Sequence, residues 1–445
     1  MNTLSRSRTN DLLVAALPVT VWAIPFDALP FLPAEYRPLG AYLALLFVGA
    51  AVILLLLNRF GRDAEGFWLV VALYAYTVPV SFLRGYQLGS FAGTIDFSLS
   101  FSIGIMFFTV CFASVSSLVR RTSRAGALEA IAHMVIPVAW FMAAFGALEI
   151  AGIVFSPIRQ AMRPFFRLVA ELDQLGVQWF SREPAWGFLN AFVLLPFVTY
   201  VSRTTGRHLA LLTILYVEVL FTFSATAIIT ILTYQFLAVL AVSRRKGVIL
   251  LAAVGGAVAV FWLVRILIAS PIGGVRQIAR FAAVVQSLDI TDLLRFSSSE
   301  TIRIGFPIAG VLQVQNGPLL GVGGGASRYY FREIMYEIMP WSQNMHEVRG
   351  YVEAQSSAAT PRNLYARVIG EFGILGVVLF AGIVSKAVSS FRRFPDHQSE
   401  EWRLLVRLAL VTLLVNLQFD SMALVPFWFT LSILLAIAAT PPGEA

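Results

Sequence analysis

The chain of 445 residues is short of charge, of lysine, of histidine and of cysteine. Charged residues make up 13% of it, about half the usual share. A set of soluble domains of this total length would lack the polar surface to cover itself. The single cysteine, Cys111, lies in an apolar run, which excludes an internal disulfide and a cysteine cluster for zinc. Only Lys246 and Lys386 are lysines among 33 basic residues, and no basic block exceeds Arg244-Arg245-Lys246. The net charge of +8 is therefore not the footprint of a nucleic-acid surface. It fits arginines that set loop orientation, plus guanidinium groups kept for a specific task. What the chain has in excess is apolar surface: 58% hydrophobic residues and a mean hydropathy of +0.77.

A bilayer crossing takes about 20 predominantly apolar residues. The sequence predicts twelve such helices, over 12–30, 39–58, 67–83, 96–119, 130–155, 185–202, 208–223, 225–243, 247–268, 364–385, 404–419 and 421–438. The first has no small-residue cleavage site after it and is expected to stay as a span. With the N-terminus in the cytoplasm, every inside loop is basic: Arg59 and Arg62, Arg120, Arg121 and Arg124, Arg203 and Arg207, and the Arg244 cluster all fall there. Both termini are then cytoplasmic. His133, His208 and His397 fall near inside ends and His346 is alone outside, so no histidine cluster for a metal is expected.

Three regions follow: 1–268 with nine spans and a short outer loop at 156–183, a long outer loop at 269–363, and 364–445 with the last three spans. The long loop is too long to be structureless in a compact protein. Residues 273–295 carry apolar positions at helical spacing with Arg276 and Arg280 one turn apart. Residues 299–315 do the same with Ile302, Phe306, Ala309 and Leu312, while 341–360 read as polar, Ser/Ala-rich and mobile.

Three arginines fall near outside helix starts. Arg182-Glu183-Pro184-Ala185-Trp186 opens the sixth span, with Pro184 suited to a first helical turn. Arg182 and Glu183 either pair at the interface, meet lipid headgroups or bind an anion. Thr360-Pro361-Arg362-Asn363 opens the tenth span, with Thr360 as the expected cap. Asn363, Arg367 and Glu371 recur every four residues, so they share a helix face that must point at protein or water rather than lipid. Arg303 follows a serine-rich start at 297–299. Gly321-Val322-Gly323-Gly324-Gly325-Ala326 matches a dinucleotide string, but no strand–turn–helix unit surrounds it, no suitable acid follows about twenty residues on, and it falls outside, where nucleotides are scarce. It is expected instead to be a flexible close-approach turn before Tyr329 and Tyr330. Glu149, Glu218 and Asp420 lie in or near spans, where each suits either transport or polar packing.

In their order and common side these segments resemble the bacterial O-antigen ligase and polymerase superfamily. Pro318-Leu319-Leu320-Gly321-Val322-Gly323 is similar to its glycine-rich segment. Asn363-Leu364-Tyr365 and Glu371-Phe372-Gly373-Ile374-Leu375-Gly376 are similar to its Asn-anchored span and acid-Gly-Ile-Leu-Gly ending. The element at 182–186 and the stretch from Ser299 to Arg303 resemble parts of the polymerase branch. The ligase branch carries His where this chain has Arg362, which favours the polymerase.

The resemblance implies an all-α polytopic membrane fold of GT-C-like architecture and a glycosyltransferase without metal or cofactor. The implied substrate is an undecaprenyl-diphosphate-linked oligosaccharide, polymerised on the periplasmic face of the inner membrane. Besides the lipid bilayer, a chain-length regulator fits as a partner. The expected catalytic residues are Arg182 and Arg303, stabilising the leaving diphosphate, and Glu183 as base. Arg276, Arg280 and Tyr329 in the loop, with Arg362, Asn363, Arg367 and Glu371 at the tenth span, are the expected substrate-binding residues. A ligase acting on lipid A core is the first alternative, and a flippase or other twelve-span transporter the second.

Overall fold

The computed structural model describes residues 3–25, 42, 46–49, 51–52, 64–155, 157–158, 160–161, 177–179, 184–222, 224–242, 298–357 and 359–439. Every regular element among them is a helix. In chain order they are α1 (Thr3–Ala23), α2 (Glu65–Gln87), α3 (Ala92–Arg121), α4 (Arg124–Val154), α5 (Pro184–Thr205), α6 (Leu209–Phe221) and α7 (Ala225–Val242). There follow α8 (Ser298–Leu312), α9 (Ser327–Ile338), α10 (His346–Val352), α11 (Leu364–Ser389), α12 (Glu400–Asn416) and α13 (Val425–Ala439).

Four stretches are long and apolar enough to cross a membrane: Glu65–Gln87, Ala92–Arg121, Arg124–Ile153 and Leu364–Arg393. Shorter apolar helices cover Asp11–Trp22, Leu209–Phe221, Thr226–Ala241 and Val425–Ala439. These segments, with α5 and α12, fall in ten of the twelve stretches that composition marks. The stretch at 247–268 and most of 39–58 lie outside the described residues.

Burial follows composition. In α13 every residue from Val425 to Ile437 is buried, as a helix apolar on all sides requires. It packs against α3, which is itself buried along most of its length and flanked by α1 and α2. Trp428 at this contact donates its indole N–H to the Met422 carbonyl at 2.7 Å. In α11 the two faces differ. Arg367, Glu371, Phe372 and Gly376 are buried, while Ile374, Leu375, Val377 and Val378 are exposed, the face suited to lipid.

A second, smaller core joins α8, α9 and α10. Ile302, Phe306 and Ala309 line it at the spacing read from sequence, against Phe331, Met335 and Met339. Leu312 is only half buried. The stretch read as polar and mobile differs from that expectation. Pro340–Asn344 forms a 3-10 turn, and Val348 and Val352, four residues apart in α10, close the core with Ala359. Two apolar side chains on one face of a short helix sufficed, and the surrounding Ser and Ala hid that pattern.

The glycine segment does not swing free. The backbone of α11 breaks at Gly373 (φ 64°, ψ −165°). In an unbroken helix the N–H groups of Ile374 and Leu375 would reach the carbonyls of Gly370 and Glu371. Here they donate instead to Pro318 and Leu319, at 3.0 and 3.3 Å, and the two vacated carbonyls accept from Val322 and Gly323 at 3.1 and 3.0 Å. Tyr76 on α2 adds its hydroxyl, 2.9 Å from the Phe372 carbonyl and 3.1 Å from that of Leu320. Each backbone group released by the break is thus taken up by protein, as the absence of water inside a membrane demands. Gly324 N donates to the Ser81 hydroxyl at 2.7 Å, tying the segment to α2. The expected close approach is present, and its partners hold it in place.

Candidate functional site: a charged double cleft at the start of α11

The start of α11 is set by Asn363, whose side-chain oxygen accepts from Ala366 N at 3.0 Å. Its amide nitrogen donates to the Leu417 carbonyl at 2.8 Å, anchoring the helix start to the segment after α12. Thr360, the expected cap, serves elsewhere: its hydroxyl donates to Asp420 at 3.3 Å. Arg362 takes a left-handed backbone (φ 55°), so the chain turns sharply just before the helix and the cap falls to Asn363. Asn363→Ala is expected to lower stability by about 1–2 kcal/mol, read as a drop in detergent thermal unfolding. An unchanged midpoint would mean that neither bond matters.

One turn into the helix, Arg367 lies between two carboxylates. Its Nε is 2.9 Å from Glu371 Oε2, and a terminal nitrogen is 3.6 Å from Asp420 Oδ2. It also donates to the Asp420 carbonyl. Glu371 Oε1 accepts from the Ser327 hydroxyl at 2.6 Å, and Ser327 accepts from Gln313 at 2.9 Å. Asp420 Oδ2 accepts from Arg362 N at 3.0 Å. Arg367, Glu371 and Asp420 are all buried. Spacing on α11 foretold the Arg367–Glu371 contact, but Asp420 joins them from the α12–α13 connection.

Two clefts open beside this cluster and share Trp186, Arg362, Asp420 and Ser421 as a common wall. The smaller, about 190 Å³, is lined by Arg367 and Glu371 and by Arg328 of α9, which pairs with Asp96 of α3 at 3.2 Å. The larger, about 360 Å³, is lined by Arg303, Glu347 and Tyr351 and by the apolar Ile229, Ile302, Leu417 and Phe419. Trp186 packs edge-on against Phe419, with ring centres 4.7 Å apart.

The lining charges balance at four arginines and four carboxylates. Their pairing does not balance. Arg328 and Arg367 each meet a carboxylate, whereas Arg303 and Arg362 have no ion-pair partner among the described residues. Arg303 donates to the Thr226 hydroxyl. The Arg362 guanidinium lies 5.7 Å from the centre of the Tyr351 ring. Two uncompensated guanidinium groups beside an apolar and aromatic wall make an amphiphilic anion pocket.

The structure brings Arg303, Arg362, Arg367 and Glu371 into the clefts, with Asn363 fixing the start of the helix that carries Arg367 and Glu371. It does not bring Tyr329. That hydroxyl donates to Ser90 at 2.6 Å at the α2–α3 turn, and the residue lines neither cleft. Arg182, Glu183, Arg276 and Arg280 lie outside the described residues. Pro184 is the first residue of α5, as its place in a first turn requires, and two positions on Trp186 enters both clefts. Sequence reasoning missed Ser327, Tyr351 and the Arg328–Asp96 pair, and left Asp420 without a partner. Only the nearness of Asp420 to a span end marked it. Groups of three or more His, Cys, Asp or Glu side chains that could hold a metal ion are absent among the described residues.

The helices and the charged clefts together define a helical membrane protein with a polar chamber at one end of its bundle. No known family model and no curated protein matches the chain.

Proposed function

We propose that the protein is a glycosyltransferase that polymerises lipid-linked oligosaccharide on the periplasmic face of the bacterial inner membrane. The donor is a growing glycan on undecaprenyl diphosphate, and the acceptor is a new lipid-linked repeat unit. One observation carries this reading. The 360 Å³ cleft sets two unpaired guanidinium groups, Arg303 and Arg362, against Ile229, Ile302, Leu417 and Phe419. A ligand matching that wall has a compact anion joined to an apolar chain, which is the make-up of a polyprenyl diphosphate. The sequence resemblance supports the same chemistry, and so do the twelve apolar stretches with their basic inside loops.

In this reaction the bond between the donor sugar and its phosphate breaks, and negative charge grows on the leaving diphosphate. Fixed arginines stabilise that charge and need not reorganise as it forms. Orienting the acceptor hydroxyl calls for a carboxylate. Glu371 and Asp420 are poor candidates, since Arg367, Ser327, Thr360 and Arg362 N already occupy their oxygens. Glu183, three residues before Trp186, remains the proposed base. Full activity in Glu183→Gln would end that assignment.

Purified protein given lipid-diphosphate-linked repeat units in EDTA is expected to yield a ladder of lengths on a gel. Arg303→Ala and Arg362→Ala are each expected to cut the rate about 10²-fold while leaving the protein folded. Folded protein that makes no ladder from the native repeat unit would overturn the polymerase reading. Adding lipid A core then tests the ligase. The transporter reading draws on the break in α11, since broken helices line transport sites. Here, however, the freed backbone groups are bound by the 318–323 segment.

A further inference from the structure

A second charged cluster lies beside the start of α5 and takes no part in the cleft. Glu149 near the end of α4 and Glu218 near the end of α6 are both buried. They bracket one short strap, Val177–Trp179. Glu149 Oε2 accepts from Gln178 N and Trp179 N at 3.1 and 3.2 Å. Glu218 Oε2 accepts from the Trp179 indole N–H at 3.1 Å. The Glu218 carboxyl presses on α4 at Gly146, where a Cβ would come within 2.5 Å of it. The two carboxylates interact electrostatically.

The cluster is unbalanced in two ways. Neither carboxylate has a cationic partner among the described residues, whereas the buried Glu371 and Asp420 share Arg367. Its polar atoms are also left over. Apart from the Ala147 backbone N–H that faces the Glu218 carboxyl, Glu149 Oε1 and Glu218 Oε1 are buried without a hydrogen-bond partner among the described residues. So are both the oxygen and the nitrogen of the Gln178 amide, on a residue with no exposure at all. Two charges buried together with no cation among the described residues are costly, whereas one remaining negative charge can be held by the N–H donors of Gln178 and Trp179. Three orphan oxygens on adjacent elements, two of them acidic, are the ligand type of a hard cation.

We propose that Glu149, Glu218 and Gln178 form a binding site for one small monovalent cation, either an alkali-metal ion or a proton. The ion locks the strap. Val177 N donates to the Phe221 carbonyl at 3.1 Å, and the Gln178 carbonyl lies where a Cβ on Gly187 would come within 2.1 Å of it. Gly187 is next to Trp186, a wall of both clefts. Occupancy at the glutamates therefore sets the position of the α5 start that shapes the clefts. The site stands whether or not those clefts take a lipid-linked glycan.

The test uses the full chain in detergent micelles, exchanged into N-methyl-D-glucamine chloride. Lithium, sodium or potassium chloride is titrated in at constant ionic strength, at several values between about pH 6 and 8. The expected result is a saturable rise in the unfolding midpoint of about 2 °C or more. A rise that follows the alkali ion identifies a metal ion, and radiolabelled sodium should then bind at close to one per chain. A rise that follows pH alone identifies the proton. The double variant E149Q/E218Q is expected to lose the response. Its midpoint in the organic cation should equal or exceed that of the native chain, because neutral amides need no counter-charge. Gln178→Leu keeps both carboxylates and is expected to raise the half-saturating concentration about tenfold, the loss of one polar ligand. A native chain indifferent to both alkali ions and pH would overturn the proposal, as would an E149Q/E218Q chain that responds like the native one.

Discussion

Arg367→Gln is expected to be the most damaging single charge change in the described part of the chain. The substitution leaves Glu371 and Asp420 buried, close together and without the cation that both contact. Breaking a buried ion pair from one side costs about 3–5 kcal/mol, since the remaining charge has neither water nor partner. That is a large part of the stability of most proteins. Arg367→Lys keeps the charge, but a single ammonium cannot reach Glu371, the Asp420 side chain and the Asp420 carbonyl together, so partial loss is expected. The informative comparison is Arg367→Met combined with Glu371→Gln and Asp420→Asn. If the damage comes from orphaned charge, the triple variant unfolds at a higher temperature than Arg367→Gln alone. If Arg367→Gln unfolds within about 1 kcal/mol of the native chain, the cluster is not what holds α11.

Gly373→Ala is expected to be nearly as severe, for a reason of backbone rather than charge. The conformation at Gly373 (φ 64°, ψ −165°) is open almost only to glycine, and imposing it on another residue costs about 1–3 kcal/mol. Space adds to the cost. A Cβ there would sit 2.4 Å from Gly321 N and 2.7 Å from the Leu319 carbonyl. At Gly321 (φ 76°) a Cβ would come within 2.1 Å of the Glu371 carbonyl, so Gly321→Ala attacks the same junction from the other side. Either change pries the 318–323 segment from α11 and exposes the four backbone hydrogen bonds they exchange. Both variants are expected to give little folded protein and to lose about 3 kcal/mol or more where they fold. Gly350→Ala is the control. Nothing lies within 4 Å of the Cβ it would add, and it sits in α10, where alanine is the better helix former. Equal behaviour of Gly373→Ala and Gly350→Ala would show that the break in α11 carries no weight.

These two sites differ in how much of them the sequence reveals. Arg367 and Glu371 are four residues apart in an apolar run, and that spacing alone puts them on one polar helix face. Asp420 stands 49 residues beyond Glu371, and no local pattern says which buried cation it meets. The 321–325 glycines mark a close approach, since nothing else explains so many positions without side chains. What they approach is a different matter. Gly373 looks like any glycine in a membrane helix, where the residue is common. Glu149 and Glu218 likewise read as isolated span carboxylates until the fold sets both against Trp179.

By itself, the sequence determines that the protein is a helical membrane protein, where most of its helices run, and that the helix after Ser297 has an apolar face. These follow from local chemistry: run length against bilayer thickness, and periodicity against helix pitch. Tertiary structure alone decides that Asn363 rather than Thr360 caps α11, that Tyr329 turns to Ser90 instead of the clefts, and that 340–352 folds. It also decides that α11 breaks where the glycine segment can replace its hydrogen bonds, and that Arg367 serves two carboxylates while Arg303 and Arg362 serve none among the described residues. Each of these depends on which distant groups compete for the same donor, acceptor or charge, and that competition is settled only when the helices pack.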